Sequence, residues 1–218
     1  MRYQRMLLLL SMLACAMVPA GCERYPDAID VPEDLAGAGI GVLGFGALHG
    51  GRYIIALEQR ALVYDRSTGW EHAPLAATAK APLYRSSGPW QAGEVSIAVR
   101  AGRLVRRPQG LDDWTPVLLE NGDSPPVLVD ATFQANWPRH SGAREPLVDG
   151  NASGYAISGN GMLWRILLDE DRRRAALRPT ASLAAGWEPL ALSRAPGGPV
   201  AVLARRDEQM SIFLFQRR

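Results

Sequence analysis

The sequence is poor in the residues that most often carry covalent or metal chemistry. It has two cysteines, three histidines and one lysine, Lys80, among 218 residues. The histidines, His49, His72 and His140, are scattered, and their spacing matches no zinc-binding motif. A disulfide framework, a thiol nucleophile and a cysteine-rich metal site are therefore not expected, and the fold must be held by its core.

The sequence also lacks an apolar run long enough to cross a membrane. Its longest run, Met6–Val18, has 13 residues, whereas a membrane-spanning helix needs roughly 20. Arg2 and Arg5 precede this run, and the small residues Ala20 and Gly21 follow it. A short positive segment, an apolar segment and small residues, in this order, are typical of an export signal.

The end of this segment, Ala20-Gly21-Cys22, resembles the bacterial lipoprotein signal, whose lipobox ends in the cysteine that becomes acylated. The resemblance implies a signal peptide over 1–21, lipidation of Cys22 and a position on the periplasmic side of the envelope. Pro19 departs from the aliphatic residue usual at its position, so cleavage after Ala20 into a soluble periplasmic protein stays open. Glu23 follows the cysteine. In the sorting rule for enteric lipoproteins, an Asp at this position retains the protein at the inner membrane, so the resemblance favours the outer membrane.

The chain from residue 22 onwards is close to electrically neutral. Its 197 residues carry 22 arginine and lysine side chains and 22 acidic ones. This length is enough for one well-buried domain. Without a global positive field, nucleic acid is not an expected partner, and contact with the membrane is expected through the lipid alone.

A glycine-rich stretch near the start of the domain matches a nucleotide-binding pattern only formally. Gly39-Ile-Gly-Val-Leu-Gly44 reads as GxGxxG, but Gly46, Gly50 and Gly51 oppose the helix that such a site requires. No cofactor is therefore expected. Before this stretch, residues 22–38 contain prolines and acids without periodicity, and they predict a tether between the lipid and a single domain over 39–218.

Short strands and turns recur through this domain, and three tryptophans share one local context. Trp70, Trp114 and Trp187 each follow a turn residue and precede a proline or a short apolar segment. Trp70 and Trp114 are 44 residues apart. A period of about 40 to 50 residues in a β-rich sequence is typical of propeller blades.

Two segments strengthen this interpretation by resemblance. Tyr64-Asp-Arg-Ser-Thr-Gly-Trp70 resembles the turn of quinoprotein-like and kelch-like blades, and Leu111-Asp-Asp-Trp-Thr-Pro116 resembles the end of the bacterial neuraminidase repeat. They imply an all-β fold, a small β-propeller-like repeat of four to five short-stranded sheets, with a β-sandwich as the alternative. Closure is expected from pairing of 41–48 with the C-terminal strands, so that loss of the last eight residues would be costly.

A proline-rich insertion over 122–150 interrupts the repeat. Long insertions in compact repeat folds are commonly functional, and aromatic residues and arginines dominate protein interfaces. We therefore predict that the partner-binding residues are the five in this insertion that combine aromatic and cationic character: Phe133, Trp137, Arg139, His140 and Arg144. A second feature, the arginine cluster Arg103-Arg106-Arg107, is either a solvated face or a site for an acidic partner or an anionic glycolipid.

These features predict a non-enzymatic envelope lipoprotein that binds a protein partner. No Gly-x-Ser-x-Gly motif and no metal-ligand spacing is found. Two roles fit: a toxin-neutralising immunity protein, or an accessory subunit of an envelope machine. The alternative is a glycan-binding or glycan-cleaving propeller. A glycan-binding protein would have Trp70, Trp114 and Trp187 exposed at equivalent places in successive blades, whereas a glycan-cleaving enzyme would have a central funnel lined by several carboxylates and aromatic residues.

Overall fold

The computed structural model describes residues 27–36, 41–74, 89–92, 94–120, 125–133, 153–169, 171–195 and 198–215. The regular secondary structure of this part of the chain is almost entirely β-strand, joined by turns and loops. The helical elements described are one short helix, α1 (Glu33–Ala36), and a 3₁₀ turn (His49–Gly51). No helix among the described residues has the length and apolar character needed to cross a bilayer.

The strands form four small sheets, here called blades 1 to 4 in chain order. Blade 1 contains β2 (Val42–Leu48), β3 (Arg52–Leu57), β4 (Ala61–Asp65) and β5 (Gly69–Ala73). Blade 2 contains β6 (Trp90–Ala92), β7 (Val95–Arg100), β8 (Arg103–Pro108) and β9 (Thr115–Pro116). Blade 3 contains β10 (Leu118–Leu119), β11 (Leu128–Phe133), β12 (Ser153–Ser158), β13 (Met162–Leu168) and β14 (Arg174–Ser182). Blade 4 contains β15 (Glu188–Arg194), β16 (Val200–Arg206), β17 (Gln209–Phe215) and β1 (Asp27–Val31).

The four sheets are arranged as a four-bladed β-propeller. Within each blade, consecutive strands pair antiparallel, apart from the short β10, which lies parallel to the outer strand β14. The innermost strand is β2 in blade 1, β6 in blade 2, β11 in blade 3 and β15 in blade 4, and β15 packs beside both β2 and β11. The all-β propeller prediction is confirmed with four blades.

The ring is closed by the N-terminal strand. β1 pairs antiparallel with β17 over five residues, from Asp27 opposite Leu214 to Val31 opposite Met210. This differs from the prediction in two respects. Residues 27–31, assigned to the tether, are a strand of blade 4, and 42–48 pairs with β3 instead of the C-terminal strands. Because β1 covers the edge of β17, blade 4 has strands from both ends of the described chain.

Three hydrophobic cores fill the seams between blades. The seam between blades 4 and 1 is filled by side chains such as Phe45, Ile55, Leu62, Leu203 and Ile212. The seam between blades 3 and 4 contains Ile157, Leu163, Leu192, Val202 and Phe213. The seam between blades 2 and 3 contains Trp90, Ile97, Leu104, Ile166 and Leu177. Within the described part of the chain, no comparable cluster joins blade 1 to blade 2.

Three inner strands carry a β-bulge near their first residue. The register shifts lie at Val42/Gly44 in β2, Leu128/Asp130 in β11 and Pro189/Ala191 in β15. A bulge turns one side chain out of the alternating pattern. The exposed positions Leu43 and Val129 are the bulged residues of β2 and β11, so these two aliphatic side chains are placed outside the core by backbone geometry.

Candidate functional site

The predicted insertion lies where the four blades differ most. The connection from the innermost strand of a blade to the strand beside it has three residues in blade 1 (49–51), two in blade 2 (93–94) and five in blade 4 (195–199). In blade 3 the same connection is 134–152, nineteen residues. Because two to five residues suffice to turn the chain between these strands, the additional length in blade 3 is not needed for the fold.

Phe133 is placed at the root of this connection, as the last residue of β11. Its side chain is 8% exposed and belongs to the core between blades 2 and 3. Its ring centroid lies 5.3 Å from that of Trp90. A Cβ atom at Gly154 would come within 2.6 Å of the Phe133 ring, so the facing position has to be glycine. The structure thus gives Phe133 a packing role beneath the connection.

The other predicted site residues lie outside the described residues. These are Cys22, Trp137, Arg139, His140 and Arg144. The signal peptide over 1–21 also falls outside, as does the part of the predicted tether before Asp27. Their assignments stay predictions.

Two buried polar side chains fasten the inner strands to one another. The Asp130 carboxylate, on β11, accepts hydrogen bonds from the backbone N–H of Leu192 (2.6 Å) and of Ala131 (2.7 Å). Ser193, on β15, accepts one from the N–H of Ala47 on β2 (2.8 Å). Burial raises the pKa of the Asp130 carboxyl well above its ordinary value, and the two hydrogen bonds oppose the rise. Asp130 has the environment of a structural tie across blades.

A charged surface lies on blade 2, on the face turned away from blade 3. Alternate residues of a strand point to opposite faces, and Ile97, Val99 and Leu104 point into the core with blade 3. The opposite face therefore carries Arg100 and, across the hairpin, Arg103 and Arg107, since Arg100 pairs with Arg103 and Ser96 with Arg107.

Trp114 holds two of these arginines. The guanidinium carbons of Arg100 and Arg107 lie 4.3 Å and 5.0 Å from the centre of its ring. Trp114 directly precedes β9, the outer strand of the blade. We call Arg100, Arg103, Arg107 and Trp114 the arginine face. Cations over an indole are attracted by its quadrupole, by about 0.5–1 kcal/mol each at exposed sites.

Arg103, Arg106 and Arg107 are close together in the sequence, but their side chains lie on opposite faces of the sheet. Arg106 points to the blade 3 side, where it donates a hydrogen bond to the carbonyl of Asp171 at 2.8 Å. The third arginine on the arginine face is Arg100, which lies on the neighbouring strand β7. The sequence pattern missed Arg100 and its contact with Trp114, although the alternation along β7 and β8 could have indicated both.

The three tryptophans of the repeat are not all equivalent. Trp70 lies in the outer strand of blade 1 and Trp114 just before the outer strand of blade 2, whereas Trp187 directly precedes the inner strand of blade 4. Each indole is half-buried and contacts neighbouring groups. Trp70 donates a hydrogen bond to the carbonyl of Asp30 at 2.8 Å. Trp187 packs edge-on against Phe213, and the guanidinium carbon of Arg206 lies 4.8 Å from the centre of its ring.

The described residues offer little for metal or small-molecule chemistry. They contain no group of three or more histidine, cysteine or acidic side chains placed to hold a metal ion. A shallow groove of about 200 Å³ lies between the 3₁₀ turn of blade 1 and the first connection of blade 4, and it is lined mainly by glycine, alanine and other small or apolar residues.

Comparisons with known proteins add little beyond the fold. No protein-family model matches the chain, and no curated protein matches it. Among solved structures, it is similar to the β-propeller domain of Nup133 from Vanderwaltozyma polyspora, with 8% sequence identity and a TM-score of 0.24. The match covers 80% of this chain and 55% of that one, so this chain spans little more than half of that domain. The fold assignment rests on the four sheets and their order.

Proposed function

We propose that this protein is a non-enzymatic scaffold of the bacterial envelope, anchored by a lipid at Cys22, that acts by binding a protein partner. The observation that carries the proposal is the nineteen-residue connection of blade 3, where the equivalent connections have two, three and five residues. A rigid propeller that presents one extended connection is a common arrangement for recognition. The five predicted partner residues lie in this connection or, for Phe133, at its root.

The propeller fold supports a binding role because each seam fixes the connections at its ends. Phe133 packs against Trp90 and is backed by Gly154 at the start of β12. Both ends of the connection therefore leave from a buried part of the seam between blades 2 and 3. A connection fixed at both ends loses less conformational entropy on binding than a free chain of equal length.

Within this function, two roles remain proposals of equal standing. One is neutralisation of an incoming toxin by a periplasmic immunity lipoprotein, and the other is service as an accessory subunit of an envelope machine. The two roles predict different partners. An immunity protein binds one toxin, whereas an accessory subunit binds a component of its own assembly.

Capture of a partner tests the proposal. The tagged protein would be used to isolate binding proteins from envelope extracts and from the products of neighbouring genes, with identification by mass spectrometry. We expect one stoichiometric protein, lost from the Trp137→Ala/Arg139→Ala variant. The matched control is Trp187→Ala/Arg206→Ala, which removes a tryptophan–arginine pair in blade 4. Retention of the partner by the first variant would contradict the assignment of the site.

A further inference from the structure

We propose that the arginine face of blade 2 binds an acidic segment of the protein partner. The inference rests on the proposed protein-binding function and adds a second contact surface to it. Its residues are Arg100, Arg103, Arg107 and Trp114, none of which belongs to the blade 3 connection. Three observations carry it: no ion pair of these arginines is found among the described residues, two of them lie over the Trp114 ring, and an exposed leucine lies in the adjacent loop.

The arginines of this face have no carboxylate partner within the described part of the chain. The two ion pairs found there join Arg52 to Asp65 at 3.1 Å and Arg205 to Glu188 at 3.0 Å. Arg100 and Arg107 contact an indole instead. Stacking on a ring occupies a planar face of the guanidinium and leaves N–H groups at its edge. These donors match the two oxygens of a carboxylate.

The contact with Trp114 also reduces the side-chain entropy that the arginines lose on binding. A free arginine side chain loses about 1.5–2 kcal/mol of rotamer entropy when it is fixed. Arg100 and Arg107 are already restrained on the same ring, at 4.3 Å and 5.0 Å from its centre. Restraint before binding increases the affinity obtained from the same contacts.

The loop beside Trp114 favours a protein segment over a dense phosphate surface. Leu111 is 59% exposed and lies three residues before Trp114, which offers an apolar contact next to the arginines. Asp112 and Asp113 are exposed between them, and their charges repel a dense polyanion, such as nucleic acid or an anionic lipid layer, more strongly than a segment with a few separate carboxylates. Separate carboxylates flanked by apolar side chains meet both features.

A labelled peptide provides the direct test. The full-length mature protein would be titrated with a fluorescein-labelled peptide that alternates glutamate and leucine, and binding would be followed by anisotropy. We expect saturable binding that weakens as salt is added, and no binding of the same peptide with glutamine for glutamate. The Arg100→Gln/Arg107→Gln variant should bind about tenfold more weakly or worse, in line with the loss of two charge-assisted contacts.

Two further variants separate recognition from folding. Arg100→Lys/Arg107→Lys keeps both charges but loses the bidentate geometry, so it should bind with intermediate affinity. Arg206→Gln removes a guanidinium that lies 4.8 Å from the Trp187 ring in blade 4, and it should bind like the wild type. All variants should fold and unfold cooperatively, as the wild type does, which circular dichroism would check. Equal weakening by Arg206→Gln would overturn the assignment to the arginine face.

Titrations with other anions test which chemical class of partner the arginine face binds. Inorganic phosphate and vesicles containing phosphatidylglycerol would be titrated in parallel. Binding of either of them through Arg100 and Arg107, without binding of the peptide, would overturn the proposal in favour of a phosphate site. If the partner captured in envelope extracts binds the Arg100→Gln/Arg107→Gln variant as tightly as the wild type, this inference fails while the protein-binding function stands.

Discussion

Trp70 and Trp114 occupy the same place in successive blades but have different neighbours. Both lie at the outer strand of their blade, 44 residues apart. Trp70 enters the seam with blade 4, where its N–H binds the carbonyl of Asp30 in the closing strand β1. Trp114 contacts Arg100 and Arg107 of its own blade. A repeated residue thus serves closure of the ring in one blade and holds a charged surface in the next.

The difference follows from what each seam contains. Between blades 4 and 1, β1 and β17 supply apolar side chains, among them Val31 and Ile212, and the seam becomes a core. Between blades 1 and 2, no such cluster is found among the described residues. The described arginines of blade 2 on this side contact Trp114 instead of a core, and substitutions in the two regions should differ in their effects on stability and binding.

The largest effect on stability is expected from loss of β17, the strand that pairs with β1 and closes the ring. Removing residues 211–218 deletes most of β17, which pairs with both β16 and β1 and buries Ile212 completely. The remaining chain should show no cooperative thermal unfolding. Circular dichroism during heating measures this, and a cooperative transition in the truncated protein would contradict closure through β17.

A smaller but still large effect is expected at the tie between inner strands. Asp130→Ala leaves the N–H groups of Ala131 and Leu192 buried without an acceptor. We expect a loss of about 2–4 kcal/mol in the free energy of unfolding, because each unpaired buried donor costs about 1–3 kcal/mol. Asp130→Asn should cost less, since its amide oxygen still accepts one bond. Urea denaturation measures both, and equal costs would argue against the two-bond tie.

The same carboxyl predicts a dependence of stability on pH. Its pKa is raised in the folded protein from an ordinary value of 3.8. The contribution of protonated Asp130 to stability is therefore complete below about pH 3.8 and is lost as pH rises through the folded-state pKa. The stability advantage of the wild type over Asp130→Asn should shrink from pH 4 towards pH 8. An advantage that grows with pH would show that the carboxyl is ionised in the fold.

The tryptophan comparison itself predicts a moderate difference. Trp70→Phe removes a hydrogen bond between blade 1 and the closing strand, whereas Trp114→Phe removes none that joins two described residues. The first variant should be less stable than the second by about 0.5–1.5 kcal/mol, the usual net worth of such a bond. Denaturation of both variants under one condition gives the difference, and equal stability would remove the role of Trp70 in closure.

A similarly small effect on stability is expected on the arginine face. Arg100→Gln/Arg107→Gln breaks no ion pair in the described residues and removes two half-exposed contacts with an indole. The loss in unfolding free energy should stay below about 2 kcal/mol, while the acidic peptide should bind about tenfold more weakly or worse. A strongly destabilised variant would mean that these arginines serve the fold instead.

Part of the fold could be predicted from the sequence because it depends on local patterns. The hairpins β3–β4 and β7–β8 show as strand, turn and strand, and their tryptophans follow at a constant distance. Trp187 did not fit because blade 3 places the long strand β14 where blades 1 and 2 have a tryptophan. The closing strand β1 was missed because its five residues lie between prolines and alternate weakly.

The candidate sites were less predictable because they depend on contacts between distant residues. Asp130 is one of many acids in the sequence, and only the N–H group of Leu192, 62 positions away, indicates its role. The arginine cluster was visible, but its division into two faces requires the register of β7 and β8. Phe133 matched an interface residue by type, and the position of Trp90 placed it in the core.

The measurement that tests the central claim most directly is partner binding by a variant with a shortened blade 3 connection. Residues 134–152 would be replaced by a five-residue turn, the length that joins the equivalent strands in blade 4. We predict a protein that unfolds as cooperatively as the wild type and no longer binds the captured partner, as measured by calorimetry. A folded variant that binds the partner with unchanged affinity would contradict the claim that this connection is the recognition element.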